Sequence, residues 1–300
     1  MNGSYFLDYY HQYAGLCNQL YLITNHIHQA FNKDVKLFIH KMNIDIFKKK
    51  RVSASEVLDI PKTNKNLLKL LGTTILLEET PSTVEYIPKL CIYPVSSIEI
   101  LHCLEFNQRI LENVQTIKSI FLKKPKIPSN NSYNGIHFRL DVDAIIHYTF
   151  GKETYDKFMD LCNTNVNLAK NYFYNLDQEK MNNYISFLVK QYITFVKQIG
   201  FKRIWYICTS VTKSKIHDPV IPILKFFTDF IVKNGGDFYI PPIIYKDREL
   251  NALVDLLILR DAECLIGFEG SSFSEGYCFK VNSIRRVTKQ FLFVKEYPEN

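Results

Sequence analysis

His137, Arg139, Asp141 and Asp143 recur at every second position in the run Gly135-Ile136-His137-Phe138-Arg139-Leu140-Asp141-Val142-Asp143. Residues two apart share one face of an extended chain, so this spacing aims all four from one side of a strand or from its end. A guanidinium presents a planar fork of donors that suits a phosphate or carboxylate, and neighbouring carboxylates orient it or accept a proton from a bound hydroxyl. The chemistry implied is recognition of an anionic ligand. The same charges would also serve an exposed edge strand or a structural ion pair.

Two further segments carry polar chemistry. Near the start, strand-like Tyr5 to Tyr10 leads through Gly15, Leu16, Cys17 and Asn18 into apolar residues at helical spacing, Leu16, Leu20, Ile23, Ile27, Ala30 and Phe31. A glycine at such a turn lets the backbone approach a ligand, and the N–H groups at the helix start favour a phosphate. Near the end, a helix through Leu250 to Leu259 feeds the short strand Cys264 to Ile266. A loop rich in Gly and Ser follows, with Ser271, Ser272 and Phe273, and then a further helix. Its hydroxyls and N–H groups form a second candidate anion cradle or, more simply, a helix cap.

The elements around these segments read as α/β. Val35 to His40, Thr74 to Leu77 and Ile98 to Leu101 are strand-like and alternate with helical stretches. Lys123 to Ser132, with two prolines, forms a linker. Beyond it a helix from about Tyr184 to Ile199 precedes the buried strand Ile204 to Thr209, and Phe238 to Pro242 reads as another strand. Ligands of parallel sheets gather at strand carboxyl ends, which makes Thr209 and Ser210 secondary site residues. Asp255, on the apolar helix, either faces a bound ligand or is a capping or salt-bridged aspartate. Tyr148, Phe150, Tyr155 and Phe158 offer either a contact surface for a sugar or peptide, or core.

With 300 residues, 47% hydrophobic and 14% aromatic, the chain is long enough for a large core and about two domains. The net charge of +7 includes Lys48-Lys49-Lys50-Arg51, read as a solvated helix end and not as a nucleic-acid patch. Seven cysteines without C-x-x-C pairs read as reduced thiols. With no basic, apolar leader and no apolar run of bilayer length, the expectation is a cytoplasmic protein without a membrane span.

Together the three polar segments resemble the GDP-fucose-dependent fucosyltransferase superfamily, especially its protein O-fucosyltransferase-like branch. Gly15 to Leu20 is similar to that family's Gly-x-x-Asn-Gln motif, His137 to Asp143 to its His-x-Arg-x-acid-x-Asp motif, and Gly267 to Ser274 to its Gly-x-x-x-Ser-Ser-x-Ser loop. The resemblance implies a GT-B-like fold of two Rossmann-type doubly wound domains facing a central cleft. Residues 1–125 would form the acceptor-side domain and 133–300 the nucleotide-sugar domain, with the C-terminal segment able to pack back on the first. It implies an inverting glycosyltransferase without a metal or other cofactor, taking GDP-fucose as donor and a protein or glycan as acceptor. Arg139 would bind the diphosphate with His137 on the nucleotide, Gly15, Leu16, Cys17 and Asn18 lining the phosphate or sugar, and Ser271, Ser272 and Phe273 closing the other side. Thr209 and Asp255 complete the donor set read from the sequence, and Asp141 or Asp143 is the candidate base. The chain departs from the family pattern in having Asp141 where Glu is usual, and Cys17 where glycine or another residue is. It also lacks the arginine or acid that some members place just before Asn-Gln. Two alternatives remain: another nucleotide-sugar donor, and a binding protein without turnover.

Overall fold

The computed structural model describes residues 4–7, 15–45, 50–81, 85–86, 97–123, 132–269, 271, 273 and 283–287. They form a mixed α/β protein whose chain divides into two compact units: residues 1–121, 243–260 and 276–279, and residues 122–242, 261–275 and 280–300. The linker expected at Lys123 to Ser132 lies mostly outside the described residues, as do Ser272 and the helix expected after Phe273.

In the first unit, β1 (Ser4–Leu7), α1 (Leu16–Asn32), β2 (Lys36–Ile39), β3 (Lys41–Asp45), β4 (Lys50–Ser53), α2 (Ile60–Leu71), β5 (Glu85–Tyr86), α3 (Ile98–Cys103) and α4 (Gln108–Leu122) follow one another. β1 lies between β2 and β5 in a parallel sheet, and β3 pairs with β4 as an antiparallel hairpin. α1 turns Leu16, Leu20, Ile23 and Ile27 into the core at helical spacing. Three expectations are corrected here. Ile98 to Leu101 is the helix α3, started by Ser97, whose hydroxyl accepts from the Ile100 amide at 3.2 Å. Thr74 to Leu77 contributes a single bridge, Leu76 to Leu37. Lys50 and Arg51 lie on β4 and not at a helix end, and Lys50 pairs with Asp247 at 2.7 Å.

The second unit holds β6 (Asn134–His137), then α5 (Val142–Phe150), α6 (Lys152–Thr164), α7 (Val166–Tyr174), α8 (Gln178–Ile199), β7 (Trp205–Cys208), α9 (Ile221–Lys233) and β8 (Phe238–Tyr239). The helix α10 (Arg248–Arg260), which belongs to the first unit, precedes β9 (Cys264–Phe268) and β10 (Ser283–Val287). All neighbouring strands run parallel in the order β10-β9-β6-β7-β8. Numbered along the chain this is 5-4-1-2-3, the arrangement of the first five strands of a doubly wound sheet, and its direction of growth reverses between β6 and β9.

Burial on both faces explains the near-continuous apolar sequence of these strands: every residue of β6, β7 and β9 is buried. α8 begins at Asp177, whose carboxylate accepts from the Lys180 amide at 2.9 Å. It ends at Gly200, whose φ of 96° is open chiefly to glycine. Its buried stripe, Met181, Tyr184, Ile185, Leu188, Val189, Tyr192 and Val196, joins Phe138, Leu140 and Ile145 in the core. Burying each such side chain contributes roughly 1.5–3 kcal/mol.

Candidate functional site

β6 is shorter than the alternating pattern suggests. Strand pairing stops at His137, Arg139 and Asp141 lie in the connection to α5, and Asp143 sits in the first turn of that helix. The four residues therefore issue from a strand's carboxyl end and do not share a strand face, because the chain must leave the sheet to start α5.

Arg139 and Asp141 are joined: a guanidinium N–H donates to Asp141 Oδ2 at 2.7 Å. The other oxygen, Oδ1, accepts from the Ser210 hydroxyl just past β7. Asp141 is the residue before α5, where an aspartate often caps the helix, but its carboxylate makes no capping bond. That role passes to buried His217, whose Nδ1 accepts from the Val142 amide at 3.3 Å. Both oxygens of Asp141 are thus spent on holding Arg139 and Ser210. About a third of the Arg139 side chain remains exposed (31%), against 3% for Asp141. Burial opposes the arginine's charge. The carboxylates of Asp141 and Asp143, with the hydroxyls of Tyr148 and Tyr155, outweigh it and keep the guanidinium protonated.

His137 is buried (6%), and its Nδ1 has no hydrogen-bond partner among the described residues. Burial, reinforced by the positive Arg139, pushes its pKa down to about 3, so the ring is neutral. That ring lies against Phe273, with centroids 4.7 Å apart. Phe273 and Ser271 follow β9, and the Ser271 amide donates to Phe268 O at 3.1 Å. The carboxyl end of β6 and the segment after β9 therefore meet at the reversal of the sheet, where open α/β sheets bind ligands. Thr209 is also at this end of the sheet. It is buried, and its hydroxyl accepts from the Val211 amide at 3.2 Å, a bond that shapes the turn after β7.

The remaining predicted residues belong to the first unit. Leu16 is core, and its amide, the first of those expected to face a ligand at the start of α1, donates to Glu249 Oε2 at 2.8 Å. Gly15 permits this contact, since a Cβ there would stand 3.2 Å from the same oxygen. Cys17 is buried, while Asn18 is half-buried and its Oδ1 has no hydrogen-bond partner among the described residues. Gln19, next to it, donates to Asn43 O at 3.0 Å and accepts from Asn43 N at 2.9 Å, which fixes α1 to β3. Asp255 is buried (3%) on α10, which packs against α1 and β3.

Among the aromatic residues after the central motif, Phe158 is core and Phe150 carries the Lys180 ammonium over its ring at 5.2 Å. Tyr148 and Tyr155 are half-buried and meet His147 edge-on at 5.2 and 5.1 Å. Sequence reasoning missed Tyr192, His217 and Glu249. The first reads as helix core, and the other two carry no local motif.

Among the described residues no group of three or more His, Cys, Asp or Glu side chains could hold a metal ion, and no helix is long and apolar enough to cross a membrane. Cys17, Cys103, Cys162, Cys208 and Cys264 form no disulfide. Fold and site together define a parallel α/β unit with an arginine–carboxylate centre at its topological switch point. Comparison with protein-family models and with curated proteins returns no match to the chain.

Proposed function

We propose that the chain is an inverting GT-B-type glycosyltransferase that transfers fucose from GDP-fucose to a hydroxyl of a protein or glycan. The observation that carries this reading is the meeting of two distant motif segments at the switch point, seen in the 4.7 Å approach of the His137 and Phe273 rings. Arg139 projects from the same turn, still partly exposed and held by Asp141.

The chemistry follows from these groups. Glycosyl transfer passes through an oxocarbenium-like transition state, and the departing nucleoside diphosphate gains charge as the bond breaks. Arg139 neutralises that charge, with the hydroxyls of Ser271 and Ser272 as further donors and no metal ion required by the scheme. The unpartnered Nδ1 of neutral His137 accepts from a donor N–H or O–H of the nucleotide. Asp141, engaged through both oxygens, orients the arginine. Asp143, half-buried in the first turn of α5, is the base that takes the acceptor proton. The reduced thiols suit a cytoplasmic setting.

A panel of GDP, UDP, CMP and their common sugars in a thermal-shift assay tests the reading, because a ligand of the folded state raises its apparent stability. Selective stabilisation by GDP and GDP-fucose, lost in Arg139→Ala, is expected. Indifference to GDP overturns it, and a preference for UDP moves it to another donor. The complete engagement of Asp141 favours a second reading, a nucleotide-sugar-binding protein without turnover. Tight GDP-fucose binding with no GDP release, by hydrolysis or to any hydroxyl acceptor, selects that one.

A further inference from the structure

Tyr192 lies in the middle of α8 and is completely buried. Its ring packs against Phe138 and Phe227, with centroids at 5.0 and 5.9 Å. Phenylalanine would fill the same space, and a buried hydroxyl without partners costs about 1–3 kcal/mol. This hydroxyl has two. It donates to the His137 carbonyl at 2.7 Å and accepts from the Arg139 amide at 3.0 Å.

Those two backbone groups mark where the sheet opens. The Phe138 amide donates to Cys208 O of β7 at 2.8 Å. Backbone groups alternate between edges along an extended chain, so the His137 carbonyl and the Arg139 amide turn to the other edge, the side of β9. Pairing of β6 with β9 runs from Asn134–Cys264 to Ile136–Ile266, whereas β9 continues beside β10 as far as Phe268. The Tyr192 hydroxyl stands where the next rung between β6 and β9 would be. It satisfies both backbone groups and lets the strands part at their carboxyl ends.

We infer that Tyr192 is a positioning residue of the anion site. Its hydroxyl wedges the switch point open and fixes the backbone from which Arg139 reaches a nucleoside diphosphate. This role rests on the GDP reading above for its ligand, and on the two hydrogen bonds for its geometry. Being buried, Tyr192 meets no ligand itself.

Tyr192→Phe keeps the ring and removes the wedge. Three results are expected. Amide exchange at Arg139 in the ligand-free protein, slow in the wild type, accelerates about tenfold, as loss of one buried hydrogen bond implies. The GDP dissociation constant in calorimetry rises about tenfold. In an Arg139→Lys background, which keeps a cation without the fork, Tyr192→Phe changes that constant less than twofold. Equal weakening of GDP in both backgrounds would mean that the hydroxyl does not act through the Arg139 fork, and that result overturns the inference. Unchanged GDP affinity in the single variant overturns it too, as does a wild-type Arg139 amide that exchanges like an open loop, which needs no variant. If the wild type binds no GDP, the donor reading falls, and the exchange measurement alone decides whether the hydroxyl fixes the Arg139 backbone.

Discussion

The Glu249 carboxylate accepts the Leu16 amide at 2.8 Å, joining the first residue of α1 to a residue more than two hundred positions later in the chain. A helix start carries partial positive charge and amides without helical partners, so an anion is stabilised there whether it comes from a ligand or from the protein. Here the protein supplies one, from the first turn of α10. Glu249→Ala is therefore expected to destabilise the protein by about 2 kcal/mol in urea unfolding, and Glu249→Gln by roughly half as much, because the amide oxygen still accepts. Equal losses in the two variants would mean that packing, and not the hydrogen bond, is what Glu249 provides.

Gly15 sets up a sign change. Its φ of −56° is open to alanine, so Gly15→Ala brings no backbone strain and removes freedom from the unfolded chain, a gain of about 0.4–1 kcal/mol. Against this, the added Cβ stands 3.2 Å from Glu249 Oε2 and pushes on the bond to Leu16. In the wild-type background the crowding wins, and a loss of about 1 kcal/mol is expected. With Glu249→Ala the same substitution becomes stabilising by about 0.5 kcal/mol. A four-variant cycle in urea measures both, and additivity would refute the coupling.

Two buried histidines set an acid limb of stability. Burial lowers His26 to about 4 against a partial rise from the neighbouring Gln29 amide, and burial with Arg139 lowers His137 to about 3. Both values lie below the unfolded histidine's 6.5, so the unfolded chain binds protons first. The stabilisation is present above about pH 6.5 and is lost as pH falls from there toward 4 and 3. For His26 the loss by pH 4.5 is roughly 2–3 kcal/mol. His26→Gln should flatten the fall between pH 7 and 4.5 by about that amount in urea titrations. Parallel curves for variant and wild type would show that His26 does not titrate as described.

What the sequence makes legible is the periodic and the local. α1, α8, α10, β2, β6, β7, β8 and β9 all follow from spacing and from turn residues, and the Arg139 segment announces itself by composition. Ile98 to Leu101 misleads because a short apolar run with β-branched residues fits a strand as well as a helix. Ser97 and its bond to Ile100 tip the balance. The second layer of the site stays hidden because its members act through long-range contacts: Tyr192 looks like one more residue of an apolar stripe, and His217 replaces Asp141 as the cap of α5 only once the fold brings them together. Ser210 is legible as a hydroxyl at a strand end and Asp141 as an acid of the central motif, but their pairing is not.

The two acids of the central motif separate by their surroundings, which yields the most direct test of the chemistry. Asp141 is 3% exposed and bonded through both oxygens, to Arg139 and to Ser210, so Asp141→Asn loosens the arginine and leaves its charge less compensated. A hydrogen bond to a charged group is worth about 1.5–3 kcal/mol, and GDP affinity should fall by about tenfold or more, with turnover falling alongside. Asp143 lies in the first turn of α5 at half-burial, near enough to Arg139 to favour its charge. If it takes the acceptor proton, Asp143→Asn leaves GDP affinity within about threefold of wild type and lowers turnover of GDP-fucose at saturation by about 100-fold or more, the usual loss for a general base. Calorimetry with GDP and steady-state turnover, run on both variants, set the two roles apart. Loss of turnover in Asp141→Asn with GDP affinity intact would exchange the assignments and make the buried carboxylate the base.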